Sequence, residues 1–406
     1  MTAGAVRTID LVEYESTELD RTELSDELAG VLWPHYAAQI NVDFPSPKTA
    51  NRWVLRPQGW VGQIPISREL ILRLNPKTEI RNIFRMFEYA YRLRQFLMPE
   101  GIIETGALED VFESLAVVLS RRVIARARKG FYRAYVPLTA DLTYLRGRLD
   151  VGRLCRAPWN VKLTCQYSDH TPDVEDNRIP AWTLFLIGRA GLGGEKRGNV
   201  VGRAFRTLQG SVTLTNYGPE SCVDRRYNRL NEDYASIHAL CRFFLSHTGP
   251  THRGGAHGML PFLIDMAQLY EAFVAEWLRI HLPSQFTIKR QERVIFGAGS
   301  PEFIIDLVLY DELGKQPLWV LDTKYKAPSH AAQEDIYQIV TYAKLMNCRE
   351  AILIYPIGLA QPLDIEIGDV HVRSLRFAVD GDLERAGQDF LSLLSIPSST
   401  CAHAMQ

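Results

Sequence analysis

The sequence predicts an α/β protein, α+β over its whole length: a C-terminal domain with a mixed central sheet flanked by helices, preceded by an α+β N-terminal region. Two observations carry this. Beyond residue 258 the pattern runs helix, three strands, helix and strand, and ends on one more strand and helix. Ahead of it, short strand-like runs and helical stretches mix without an internal repeat. The Gly-rich segment HTGPTHRGGAHG (His247–Gly258) separates the two and is the strongest linker signal in the chain. Three regions are therefore expected: an N-terminal α+β region over 1–135, a middle region of mixed strands and helices over 136–257, and the C-terminal domain over 258–400.

Each element has its own warrant. A helical stretch near Glu23–Ile40 precedes three strand-like runs, WVLRP from Trp53, WVGQIPI from Trp60 and ELILRLNP from Glu69, punctuated by Pro and Gly. Helices are predicted over about 80–96 and 109–129; the second carries Val111, Leu115, Val118, Leu119 and Val123 at helical period. Strand-like text over 131–168 gives way to helices near 181–190 and 231–245. Past the linker we expect a helix over 261–281, then strands at Thr287–Phe296, Phe303–Tyr310 and Leu318–Tyr325. A helix over 333–347 and a buried-looking strand, AILIYP, at Ala351–Pro356 follow, before the closing HVRSLRFAV and DLERAGQDFLSLL.

Composition excludes several classes. Forty-six basic against 47 acidic residues leave a net charge of −1, so any nucleic-acid site must come from local asymmetry. The six cysteines form no CxxC pair and read as reduced structural thiols. The N-terminus lacks a signal peptide's basic and apolar regions, and the longest apolar stretch is far too short to span a bilayer, so a cytoplasmic protein without membrane contact is expected. GxxxxGK[ST] does not occur, so nucleotide hydrolysis by this chain is not expected.

The chemistry sits in carboxylates placed where core strands should be apolar. Asp306 is flanked by Ile304, Ile305, Leu307 and Val308, and Asp322 follows Trp319, Val320 and Leu321. Period-two geometry puts Asp322 and Lys324 on one face, with Thr323 on the other. A short turn between the strands makes them antiparallel neighbours, so Asp306 can stand beside Asp322. Two adjacent buried carboxylates repel and need a compensating charge. A hard divalent cation provides it, Mg²⁺ being the usual choice beside phosphate, with Mn²⁺ in its place. Lys324 then reaches the same site to orient water or stabilise charge on a phosphoryl oxygen. Asp-x-Lys by itself is common and also reads as a surface ion pair. Glu271, on the preceding helix, could bring a third carboxylate, and Gln338 and Tyr342, four apart, share a helical face behind the Asp-x-Lys strand.

The order Glu271, Asp306, Asp322-Thr323-Lys324, Gln338-x-x-x-Tyr342 resembles the PD-(D/E)xK nuclease superfamily in its RecB-like variant. FLIDMAQLYEAFVAEWL, LDTKYK and IYQIVTYAK, with LRGRLDVGRLCRAP and EDNRIPAWTL upstream, resemble the McrC family more narrowly, over roughly residues 140–400. McrC proteins are nuclease subunits of modification-dependent restriction systems that act on foreign DNA. The resemblance implies a metal-dependent endodeoxyribonuclease acting on double-stranded DNA. It implies Asp306, Asp322, Glu271 and Thr323 as the metal set, and Asp306, Asp322, Lys324, Glu271, Gln338 and Tyr342 as the catalytic set. It also implies a McrB-like hexameric AAA+ GTPase as partner, bound through the N-terminal half, whose hydrolysis this chain would stimulate. The superfamily usually places Pro before its first metal-binding acid. Here Ile305 precedes Asp306 and the nearest such pair is Pro301-Glu302, so Glu302 stands as the alternative ligand. The alternative functions are a non-catalytic adaptor of an AAA+ NTPase and a stand-alone RecB-like repair nuclease.

Two further features stand outside that set. Residues 121–156 carry ten basic residues opposed by Asp141 and Asp150, a patch suited to DNA phosphates or an acidic pore surface on a partner. His247, His252 and His257 recur in the Gly-rich loop without Cys or carboxylate neighbours and do not read as a metal site.

Overall fold

The computed structural model describes residues 7–67, 69–93, 108–190, 194–247, 261–295, 302–311, 316–326 and 328–394. Where the sequence reads as three consecutive regions, contacts gather the chain into two compact units. The described residues of Met1–Leu108 and Pro261–Gln406 form one unit, and those of Glu109–Thr248 the other. The linker centre, with His252 and His257, lies outside the described residues, while His247 is the buried last residue of a helix.

The first unit opens with β1 (Arg7–Val12), β2 (Thr17–Leu19), α1 (Asp26–Tyr36), β3 (Ile40–Asp43), β4 (Trp53–Pro57), β5 (Trp60–Pro65), β6 (Leu70–Asn75) and α2 (Ile80–Ala90). Strand β6 alternates buried and half-buried residues along LILRLN, as a strand with one core face must. Helix α1 starts where the Ser25 hydroxyl accepts the Leu28 amide, with Asp26 and Glu27 in the first turn. β1 runs parallel to β6, which pairs antiparallel with β5. A second sheet, β2-β4-β3, is antiparallel throughout. Leu11, Leu32, Tyr36, Leu55, Ile64 and Leu72 fill the core between them.

The second unit comprises α3 (Leu108–Lys129), β7 (Ala134–Leu142), β8 (Arg148–Leu149), α4 (Val151–Arg156), β9 (Leu163–Thr171), α5 (Glu175–Arg189), α6 (Gly194–Gln209) and α7 (Tyr234–His247). β7 and β9 pair antiparallel from Ala134↔Thr171 to Leu142↔Leu163, and no residue of β7 is buried. The helix expected at 181–190 begins six residues earlier, at Glu175, because Pro180 does not break it. Proline removes the hydrogen bond to the carbonyl four residues back. That carbonyl, Asp176 O, is met instead by His238 Nε2 at 3.0 Å. Helix α6 was not expected, since Gly194, Gly198 and Gly202 obscure its apolar stripe.

The first unit resumes with β10 (Phe262–Asp265), α8 (Met266–His281), β11 (Thr287–Ile295), β12 (Glu302–Tyr310), β13 (Pro317–Thr323), α9 (Gln333–Met346), β14 (Glu350–Tyr355), β15 (Asp364–Ile367), β16 (Val370–Arg376) and α10 (Leu383–Leu394). The helix expected from residue 261 is corrected here: PFLID contributes a strand, and α8 begins only after Asp265, whose carboxylate caps it through the Ala267 and Gln268 amides. β10 pairs antiparallel with β5, making the C-terminal half complete an N-terminal sheet. The six-stranded sheet has the order β11-β12-β13-β14-β16-β15, antiparallel at both edges and parallel across β13, β14 and β16. Helix α9 makes the crossover from β13 to β14 and packs Ile339, Tyr342 and Ala343 on Val320, Ala351 and Leu353. Gly387 of α10 lies so close to the Trp277 ring of α8 that a Cβ there would collide with it.

Candidate active site

The centre of the six-stranded sheet carries the expected carboxylates. Strand β13 is buried along Trp319–Asp322, and Asp322 is 1% exposed. Lys324 continues the strand one step, its amide donating to Ile354 O at 2.8 Å. Its ammonium stands 2.7 Å from Asp322 Oδ2, as the shared strand face requires. The Gln338 side-chain carbonyl accepts from the same ammonium at 2.9 Å, and the Gln338 amide donates to the Tyr342 hydroxyl at 2.9 Å. Asp322, Lys324, Gln338 and Tyr342 thus form one chain of contacts between β13 and α9.

Asp306 lies where the sheet opens. Pairing of β12 with β13 ends at Leu307↔Leu321, and pairing with β11 skips Asp306 opposite Gln291, which has φ of 52°. In place of a backbone carbonyl, the Asp306 carboxylate accepts the Thr323 amide at 3.2 Å and the Thr323 hydroxyl at 3.4 Å. Thr323 is therefore turned to Asp306. The alternative ligand, Glu302, is exposed at the start of β12 and pairs with Arg293 at 3.2 Å.

Glu271 of α8 is buried, but its Oε1 accepts from Arg290 Nε at 2.8 Å and from the Gln291 amide at 3.4 Å. Among the described residues, no three His, Cys, Asp or Glu side chains stand together closely enough to hold a metal. Glu271 still feels Asp306: burial raises its pKa most, Arg290 opposes this, and the Asp306 charge adds to the rise.

The electrostatics are those of an acidic pair that Lys324 compensates only in part. Burial, then the neighbouring Asp306, push Asp322 up to about 7, against the pull of Lys324. Burial also raises Asp306, with the Thr323 amide opposing it. For Lys324, burial works to discharge the ammonium, but Asp322, Asp335 and Asp306 outweigh it and hold its pKa above the ordinary value. Asp322 Oδ1 is buried with no hydrogen-bond partner among the described residues, and Oδ2 meets the Lys324 ammonium as an ion pair without hydrogen-bond geometry.

Sequence reasoning missed two contributors. Asp335, in the first turn of α9, lies 2.5 Å from Lys326 and 3.9 Å from Lys324. Arg290 neutralises Glu271. Asp335 looks like an ordinary helix-start acid and Arg290 like an exposed strand cation, so neither had a sequence signal. The 121–156 basic run divides: Arg126 pairs with Asp233 at 3.3 Å and Arg122 donates to Ser236, while Arg133, Arg148, Arg153 and Arg156 are exposed. The five described cysteines are free thiols, and no described helix is long and apolar enough to cross a membrane.

Comparison with known proteins places this chain in a family. The curated relative is a type IV methyl-directed restriction enzyme, EcoKMcrBC, of Escherichia coli (strain K12), 24% identical over 220 residues. That alignment covers 53% of this chain and 62% of the relative, under two thirds of its length. Among solved structures, the fold matches a chain of the half-complex from the tetradecameric assembly of Thermococcus gammatolerans McrB AAA+ hexamers with bound McrC. The TM-score is 0.53 at 16% identity, covering 96% of this chain and 99% of that one. Residues 55–356 match the family described as the McrBC 5-methylcytosine restriction system component, and this chain belongs to that family.

Proposed function

We propose that this chain is the nuclease subunit of a McrBC-like restriction complex, hydrolysing phosphodiester bonds of double-stranded foreign DNA with Mg²⁺, or Mn²⁺ in its place. The observation that carries this reading is the buried Asp322, ion-paired to Lys324 at 2.7 Å on one oxygen and unpartnered on the other. A carboxylate in that state needs a further positive partner, and Asp306, the neighbour beyond the last paired residues, brings a second ligand oxygen. Asp306 and Asp322 would hold the metal. A bound Mg²⁺ polarises a phosphoryl oxygen and makes water a better nucleophile.

The chain's own residues do the rest. Lys324 stays an ammonium at neutral pH and faces charge developing on the phosphoryl oxygens. Gln338 fixes that ammonium, and Tyr342 fixes the Gln338 amide. Thr323 orients Asp306, and Arg290 holds Glu271 at the edge of the site.

An AAA+ GTPase of McrB type is the proposed activating partner, its NTP hydrolysis stimulated in return. The antiparallel pair of β7 and β9 and its connection offer a surface suited to partner contact. Tyr135, Tyr144, Leu145, Trp159 and Val161 are exposed there, at 80% for Trp159 and 87% for Val161, beside the exposed Arg133, Arg148, Arg153 and Arg156.

The test is plasmid cleavage with Mg²⁺, wild type against Asp322→Ala, each alone and with the AAA+ partner plus GTP or ATP. Cleavage that needs partner, nucleotide and Asp322 is expected. Cleavage by the chain alone would favour a stand-alone nuclease. Stimulated NTP hydrolysis with no cleavage would make it an adaptor.

A further inference from the structure

The strand carrying Asp322 and Lys324 does not end free. Tyr325, the next residue, is gripped by the N-terminal sheet. The Tyr14 hydroxyl donates to the Tyr325 carbonyl at 3.1 Å. The Tyr325 hydroxyl donates to Glu13 Oε2 at 3.5 Å and stands 3.1 Å from the Thr78 hydroxyl. The grip is itself anchored: the Glu13 amide donates to Asn75 O, the Tyr14 amide to Pro57 O, and Glu13 Oε2 accepts the Lys77 amide at 3.3 Å.

The same corner fixes α8, which carries Glu271. β10 pairs with β5, and the Met266 amide at the start of α8 donates to Gly59 O at 3.0 Å. Gly59, with φ of 72°, lies directly against the Tyr14 hydroxyl, where a Cβ would collide with it. Tyr14 itself holds φ of 59°, a costly backbone for a non-glycine residue that persists only where surroundings over-determine it. One hydroxyl therefore sits between the β4–β5 turn that holds the first residue of α8 and the residue after Lys324.

We propose that Glu13, Tyr14 and Thr78 form a joint that sets the position of the β13 end, with Tyr14 and Tyr325 as positioning residues for Lys324. The catalytic consequence rests on the nuclease reading above. A cavity of about 580 Å³ runs beside the joint, lined in part by Tyr14, Thr78, Tyr325 and Lys326. Loss of a hydroxyl leaves the strand end room to shift, and displacement of a catalytic group by about 1 Å can lower a rate by on the order of 100-fold.

The experiment uses the full chain carrying Tyr14→Phe or Tyr325→Phe, each of which keeps its ring and loses one hydroxyl. Amide hydrogen exchange across residues 318–326 reads the joint, and cleavage with the AAA+ partner reads its consequence. Exchange faster by about fivefold is expected, with kcat lower by on the order of 10-fold and KM for DNA unchanged. Wild-type exchange in both variants overturns the joint, whatever cleavage does. Faster exchange with wild-type kcat overturns its catalytic reach. A wild type that never cleaves removes the nuclease reading, while exchange still decides the joint.

Discussion

Each unit carries a polar cluster, and the two are resolved in opposite ways. In the second unit, Asp173 accepts from Arg178 at 2.6 Å and from the Thr213 amide and hydroxyl at 2.8 Å. Those partners, Arg178 first, hold the Asp173 carboxyl well below its usual range. Beside it the fully buried Asn177 donates to Tyr132 O at 2.8 Å and Pro172 O at 2.6 Å, and its carbonyl accepts from the Tyr234 hydroxyl. In the first unit, Asp322 keeps an orphaned oxygen and a raised pKa. The Asp173–Asn177–Arg178 cluster is built to hold a structure, because folding supplies its partners. The Asp322 cluster is incomplete within the chain, which is what a ligand-binding centre requires. Similar residue types in one protein thus divide into scaffold and candidate site by whether folding satisfies them.

The largest test of that contrast is activity. On the proposed reading, Lys324→Ala and Asp322→Asn should each lower cleavage by on the order of 10²- to 10³-fold, since each removes a charge from the proposed reacting centre. Wild-type rates in either, measured with the partner present, would place the chemistry elsewhere. Asn177→Ala should act oppositely, leaving the proposed cleavage centre intact but costing about 2 kcal/mol, because two half-buried carbonyls and the Tyr234 hydroxyl each lose a hydrogen bond. Denaturant unfolding followed within the second unit reads that loss.

Asp322→Asn should also stabilise the metal-free first unit by about 1–2 kcal/mol, since it removes a buried and poorly compensated charge. Added Ca²⁺ should raise the thermal midpoint of the wild type and not of this variant. A variant less stable than wild type would mean that Lys324 already satisfies Asp322.

Glu13 sharpens the comparison through pH. It is 1% exposed, and burial raises its pKa from 4.5 to about 7, against the Lys77 amide and Tyr325. A raised carboxyl favours the folded state fully below the unfolded pKa, and that advantage is lost as pH rises through the folded value. Glu13→Gln should therefore change nothing at pH 4 and add about 2 kcal/mol at pH 8. Asp173 has the opposite sign. Its stabilisation is present above the unfolded value and lost as pH falls through the lowered folded one. Asp173→Asn should cost only about 1 kcal/mol at pH 7, because the pair is partly solvated. Thermal midpoints at the two ends of the pH range check both; a loss for Asp173→Asn that grows toward low pH would refute the assignment.

Much of the site was legible because its signal is local. An acid amid Ile305, Leu307 and Val308, and another after Val320 and Leu321, break an apolar strand in a way that points to charge held in the sheet. Gln338 and Tyr342 followed from helical spacing, and the structure links them at 2.9 Å. β10 was hidden because PFLID continues, without a break, into the apolar face of α8, and a short apolar run does not distinguish strand from helix. α5 was read short because a proline suggests a stop unless a distant residue, here His238, takes the released carbonyl.

The sequence by itself determined five strands of the six-stranded sheet, though not the edge strand β15, and that Asp322 and Lys324 share a face, because two-residue and 3.6-residue periods are properties of neighbouring backbone. Tertiary structure decided that Arg290 holds Glu271, that β10 closes an N-terminal sheet, and that Tyr325 is gripped by Glu13 across 312 positions of chain. These depend on which distant donors and acceptors folding brings together. No local pattern records that, because a hydrogen bond is specified by its partner's position and not by its own residue alone.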